Sequence, residues 1–330
     1  MKDQRFRVTT LFLEGGLAST ALGPLEIFRG AGRIWNQITG ARENPLFEVR
    51  AASIGGRAVR GDGPYRIQPD EALEELDHSD LIFVPAAGLS LDEVLARNAP
   101  IVDFLRRARS AGTRIAGVCS GVSLLAEAGL LDGRVATTHW GLVDTYRERF
   151  PDVDWQPDRL VTEDDGVYCG GGVYAALDLA LYLVEKHGSR DVALECARSL
   201  LIEMPRDCQA GFAVLPIGEG HSDESIRSAE DWIRQHCREE IRFEILAQQL
   251  GMSPRNFIRR FKAATGLSPI DYLQRLRVWA ARRILEDGQT PVQEVSQRVG
   301  YSDAAFFRTI FKRHTGLAPL AYRRRFSAPH

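Results

Sequence analysis

Two groups of residues have the types and the spacing to do chemistry. The first centres on Cys119, which follows an apolar run at 114–118 and precedes Gly121 and a helical pattern at 122–128. A strand, a small-residue turn and a helix start put a thiol at a nucleophile elbow, where the helix dipole favours thiolate. Downstream, His139 in the run Ala-Thr-Thr-His-Trp at 136–140 could act as its base, with Trp140 beside it. The amide of Ser120, with one from the loop 85–88 that ends at Gly88, could form an oxyanion hole. Such a set either attacks an amide-like substrate or, without an acid to move protons, walls a small-molecule pocket.

The second group lies near the other end and occurs twice. Gly251-Met252-Ser253 is followed by a helical pattern whose Phe257, Ile258, Phe261 and Ala264 project inward, leaving Arg255, Asn256, Arg259 and Lys262 outward. Gly300-Tyr301-Ser302 begins a second copy, with Phe307, Phe311 and His314 inward and Ala305, Phe306, Thr309, Lys312 and Arg313 outward. The offset is 49 residues before the turn and 50 after it, so the second copy carries one extra residue. Each copy reads as a helix, a turn and a second helix, the second capped by Ser253 in one case and Ser302 in the other. Arg can read guanine and Asn adenine in the major groove, and an exposed Phe306 either touches a thymine methyl or packs on the preceding helix. His314, aligned with Ala264, reads as a buried neutral histidine.

To position these two groups, the chain must supply two scaffolds. At 330 residues it is long enough for about two domains. Residues 1–220 hold 23 basic against 32 acidic groups and residues 221–330 hold 19 against 12, so the net charge of -2 hides a basic end suited to a polyanion. A Pro- and Gly-containing stretch at 213–225, with a boundary near Ile217, separates a first domain at 1–212 from a second at 226–326. In the first, β-rich runs at 8–13, 47–52, 81–85 and 114–118 alternate with helical patterns such as 100–111, which predicts an α/β fold with a parallel sheet between helices. The second reads as all-α. A helix opening at Ser268-Pro269, with Leu273, Leu276, Ala280 and Ile284 on one stripe, links the two repeats, and Thr290 to Gln293 would box the next helix start.

Several functions are disfavoured. Five cysteines with no C-x-x-C pair argue against a disulfide framework or a thiolate zinc site, and no metal is expected. Gly170-Gly171-Gly172 lacks the Lys or the G-x-G-x-x-G pattern of a phosphate loop, so it reads as a turn before a helix and no cofactor is expected. No membrane span and no signal-peptide pattern is found, which predicts a cytoplasmic protein.

The phrases Ser-Pro-Arg at 253–255, Arg-Arg-Phe-Lys at 259–262, Gly-Leu-Ser-Pro at 266–269, Gly-Tyr-Ser-Asp at 300–303 and Tyr-Arg-Arg-Arg-Phe at 322–326 resemble AraC-type transcription regulators. The elbow region resembles the class I glutamine amidotransferase-like fold of PfpI type. With Ala-Glu-Ala-Gly-Leu-Leu-Asp-Gly at 126–133 and Thr-His-Trp at 138–140, the whole chain resembles the GlxA family of regulators. The resemblance implies a homodimer that binds double-stranded promoter DNA, activates transcription with RNA polymerase, and responds to a small, nitrogenous effector. It also implies an acid in the loop after the first strand of the enzymes, where isonitrile hydratases read Leu-Asp-Leu-Ala-Gly-Pro. Here Ser19 and Thr20 stand in that segment, and Glu14 is the nearest acid. A ligand pocket of Thr20, Gly88, Cys119, Ser120, His139 and Trp140 without catalysis is therefore expected; the alternative is a cysteine-dependent amidase or isonitrile-type hydratase carrying a DNA-binding domain.

Overall fold

Four consecutive buried residues, Leu81 to Val84, form the strand at the middle of the first unit, as a parallel strand covered on both faces requires. The computed structural model describes residues 5–202 and 221–326, and these belong to two compact units. The boundary near Ile217 and residues 213–220 of the expected linker lie outside the described residues, as does Cys208.

In the first unit, β1 (Phe6–Leu11), β2 (Phe47–Ser53), β3 (Glu71–Ala72), β4 (Leu81–Val84), β5 (Arg114–Val118), β6 (Val161–Asp164) and β7 (Val167–Gly170) form one sheet in the order β6-β7-β5-β4-β1-β2-β3. All pairings are parallel except the β6–β7 hairpin. This is the α/β architecture that the alternation predicts. Side chains alternate between two cores. Leu81 and Phe83 join Ile27 and Phe28 of α1 (Ala18–Gly30) and Leu179 and Leu183 of α4 (Ala175–His187). Ile82 and Val84 join Ile101 and Leu105 of α2 (Ala99–Ser110) and Leu124 of α3 (Val122–Glu127). Strand order reverses beside β1, between β2 and β4, so their carboxyl ends form the switch point where open α/β sheets bind ligands. Cys119 follows the neighbouring β5.

The second unit, among the described residues, is helical. It comprises α5 (Glu224–His236), α6 (Phe243–Gln249), α7 (Pro254–Thr265), α8 (Pro269–Asp287), α9 (Val292–Arg298), α10 (Ala304–Thr315) and α11 (Pro319–Phe326). Asp223 caps α5, which begins at Glu224, two residues earlier than the sequence suggests. Two cores share the linking helix α8. Tyr272 and Leu273 pack with Phe257 and Phe261, and Val278, Ala281 and Leu285 pack with Phe307 and Phe311.

The repeat is visible atom by atom. Thr265 donates its hydroxyl to the carbonyls of Phe261 and Leu267, and Thr315 does the same to Phe311 and Leu317. Gly266 (φ 72°) and Gly316 (φ 74°) end the two helices in the left-handed conformation. Three expectations are corrected. Asp303, not Ser302, caps α10, accepting from the amides of Ala305 and Phe306, because the extra residue of the second copy lies in the turn and brings Asp303 level with Ser253. No capping box forms at α9, where Pro291 is the N-cap and no side chain bonds. Ile258 is exposed rather than inward, since Phe257 and Phe261 already fill the core-facing stripe.

Candidate functional site

Cys119 sits at φ 53°, a left-handed conformation rare for a residue with a side chain and typical of a strained elbow. Gly121 makes the turn possible, because a Cβ there would lie 2.1 Å from the carbonyl oxygen of Pro85. The elbow is where the sequence puts it, but its electrostatics are not. Cys119 is fully buried, and burial pushes its thiol up to about 11 although hydrogen bonds with Ser120 pull the other way. The expected thiolate is thus overturned. A six-residue α3 offers a short dipole, and desolvation outweighs it.

Two amides of the 85–88 loop, from which the oxyanion hole was expected to draw a donor, are already engaged. The N–H of Ala87 donates to Ser120 Oγ at 3.0 Å, and that of Ala86 donates to Thr20 Oγ1 at 3.0 Å. Pro85 has no N–H. Thr20 is buried within α1, which replaces most of the expected loop, and its hydroxyl donates to the carbonyl of Leu17. Glu14 is exposed and accepts the amide of Arg60. Thr20, Cys119 and Ser120 are brought together at the switch point but closed off from solvent, while Gly88, His139 and Trp140 are half-buried.

His139 Nδ1 accepts the amide of Gly141 at 3.0 Å, which leaves the proton of the neutral ring on Nε2. Burial holds its pKa below the ordinary value. Thr138 Oγ1 donates to the carbonyl of Cys119 at 2.9 Å and ties this segment to the elbow. The Gly170 to Gly172 turn, ahead of α4, packs on the ring: a Cβ at Gly172 would lie 3.1 Å from His139 Cδ2.

In the helical unit, Ser253 caps α7 by accepting from the amide of Asn256, and Pro254 holds the first position. Arg255, Arg259 and Lys262 are exposed, and Asn256 is half-buried. Arg259 donates to Asn256 Oδ1 at 2.9 Å, so the two side chains present one joint array. On α10, Ala305, Phe306, Thr309, Lys312 and Arg313 are exposed. Phe306 is 50% exposed while its ring packs edge-on against Tyr301 at 5.9 Å, so it both packs and faces outward. His314 is only half-buried and contacts Gln274, which corrects the expectation of a buried histidine.

Residues 246–325 match a helix-turn-helix domain model and residues 39–186 match the DJ-1/PfpI family model. The chain joins a DJ-1/PfpI domain to an AraC-type helix-turn-helix domain. This is the domain pair of a transcription regulator. Among similar proteins, the HTH-type transcriptional regulator GlxA of Rhizobium meliloti is 28% identical over 85% of this chain and 86% of its own length. The HTH-type transcriptional regulator GbdR of Pseudomonas aeruginosa is 27% identical over 87% of this chain and 77% of its own. Drosophila melanogaster DJ-1beta, at 20% identity, superposes with a TM-score of 0.51 over 61% of this chain and all of that one, which shows the fold of the first domain.

The structure adds residues that the sequence does not mark. In the DJ-1/PfpI domain, buried Tyr146 donates to the carbonyl of Ser120, and burial raises its phenol well above the ordinary range. In the helix-turn-helix domain, Arg260 of α7 forks onto both carboxylate oxygens of Asp223 at 2.7 and 3.0 Å. Arg277 of α8 donates to the carbonyls of Cys237 and Glu239 while lying over the Tyr301 ring at 4.9 Å, joining the two repeats. These partners lie tens of residues away, beyond any local motif. Among the described residues no group of three or more potential ligands could hold a metal, and no helix is long and apolar enough to cross a membrane.

Proposed function

We propose that this protein is a sequence-specific, DNA-binding activator of transcription whose DJ-1/PfpI domain binds a small nitrogenous effector and forms a homodimer. Arg255, Asn256, Arg259 and Lys262 of the first reading helix, with Ala305, Phe306, Thr309, Lys312 and Arg313 of the second, contact promoter DNA. RNA polymerase is the further partner that activation requires, and the cytoplasm is where these partners meet.

The observation that carries this proposal is the duplicated anchoring of α7 and α10. Each buries two phenylalanines against the shared helix α8, ends on a left-handed glycine, and turns its other face to solvent. Two reading helices fixed on one rigid helix can enter successive major grooves about 34 Å apart. The effector pocket lies at the carboxyl edge of the sheet, with half-buried Gly88, His139 and Trp140 at its mouth and buried Thr20, Cys119 and Ser120 as its floor, Cys119 without turnover. The engaged amides of Ala86 and Ala87 support this over an amidase or hydratase.

The test is selection of bound duplexes from a randomised library by the full chain, followed by footprinting. One enriched sequence protected over two grooves is expected; retention of all duplexes alike would refute it. For the effector, a thermal-shift screen of amines, amino acids and betaines is expected to give a ligand that raises the transition temperature, since a ligand bound only by the native state stabilises it.

A further inference from the structure

The two reading helices are copies in backbone but not in chemistry. With the register fixed by Phe257 on Phe307 and Phe261 on Phe311, Arg255 corresponds to Ala305, Asn256 to Phe306 and Arg259 to Thr309. Each hydrogen-bonding reader of α7 is matched by an apolar or internally satisfied side chain on α10. Thr309 completes the pattern, because its hydroxyl donates to the carbonyl of Ala305 at 3.2 Å and so is engaged within the helix. Phe306 is held by its edge contact with Tyr301, yet half of it remains exposed. Lys262 has its counterpart in Lys312, and Arg308 and Arg313 are also exposed on α10. The apolar surface is therefore framed by cations suited to phosphates.

We infer that the operator half-site is chemically split: α7 reads purine edges, guanine foremost, and α10 reads thymine by its C5-methyl groups through Phe306 and Ala305. This rests on the proposed reading of α7 and α10 as DNA-reading helices. In the major groove the guanine edge offers two acceptors, N7 and O6, which the donors of Arg255 and Arg259 match. Thymine alone of the four bases presents a methyl group, and a phenyl ring with no hydrogen-bonding capacity can distinguish it only by apolar contact. Loss of one such carbon contact weakens binding roughly fourfold.

The test uses the full chain and the sequence enriched from a randomised duplex library. Replacing thymine by deoxyuridine in the element protected by α10 removes only methyl groups, and a roughly fourfold loss per contacted methyl is expected. Replacing guanine by 7-deazaguanine in the other element removes only N7 and is expected to weaken binding there. Phe306→Ala is expected to bind the thymine and deoxyuridine sites equally, and Phe306→Leu to keep part of the preference; both retain the fold, because the ring is half outside the core. An enriched site indifferent to deoxyuridine, or a Phe306→Ala variant that keeps the thymine preference, would overturn the inference while leaving a sequence-specific regulator standing. Enrichment of no sequence at all would overturn both.

Discussion

The backbone N–H of Ala87 donates to the side-chain hydroxyl of Ser120 at 3.0 Å in a buried setting. The residue after the elbow cysteine is thereby latched to the loop after β4, and a similar latch from Ala86 to Thr20 holds that loop to α1. An oxyanion hole needs such amides free to face a developing charge. Here they hold the carboxyl edge of the sheet closed.

Ser120→Ala should show the strength of this latch. It leaves the Ala87 amide buried without its acceptor, a loss of about 1–3 kcal/mol. The thermal transition of the DJ-1/PfpI domain should fall, with operator affinity unchanged. An unaltered transition would mean that the amide finds another partner.

Arg255→Ala and Asn256→Ala should each weaken binding to the selected operator by about 1–3 kcal/mol and leave affinity for random duplex nearly intact. Titrations on both DNAs separate the outcomes. Equal losses on each would reduce these side chains to phosphate contacts.

The parts of this molecule legible in the sequence are those written in local periodicity. Alternating strands and helices gave the sheet, and the repeated Phe-x-x-x-Phe and Thr-Gly-Leu phrases gave the second helix of each repeat, because each depends on residues within a turn or two of one another. Burial and long-range pairing were not legible. The position of Cys119 follows from its neighbours in the chain, but its ionisation depends on how much water the folded sheet excludes. Ile258 shows the same limit, since a helical projection cannot say how much of an apolar face the core will accept. Asp303 could have been found by placing the extra residue of the second copy inside the turn.

Residues 221–330 expressed alone should bind the same operator, more weakly and with steep salt dependence. The basic surplus lies within them, with 19 basic against 12 acidic groups, and the two helix-turn-helix cores are complete there. Each phosphate neutralised adds about 0.9 to the slope of log affinity against log salt. Binding retained only by residues 1–220 would contradict the division.

Cys119 gives the prediction that separates regulator from enzyme. Its thiol ionises at about 11 in the folded state against an ordinary 9.0, so folding favours the protonated form. The contribution is fully present below about pH 9 and is lost as pH rises from 9 through 11, because the unfolded chain ionises first. Cys119→Ser should remove that part of the alkaline decline, read from denaturant titrations at several pH values. Since the thiolate is the reactive form, alkylation of the native protein should also proceed faster at half-buried Cys237 than at buried Cys119, the reverse of what an activated nucleophile requires. Mass spectrometry of briefly alkylated protein gives the order. Turnover of an amide or isonitrile that depends on Cys119, at about one per second or faster, would overturn the assignment. Slow native alkylation without such turnover is expected, because the elbow's thiol is buried and the neighbouring amides of Ala86 and Ala87 are held by the fold.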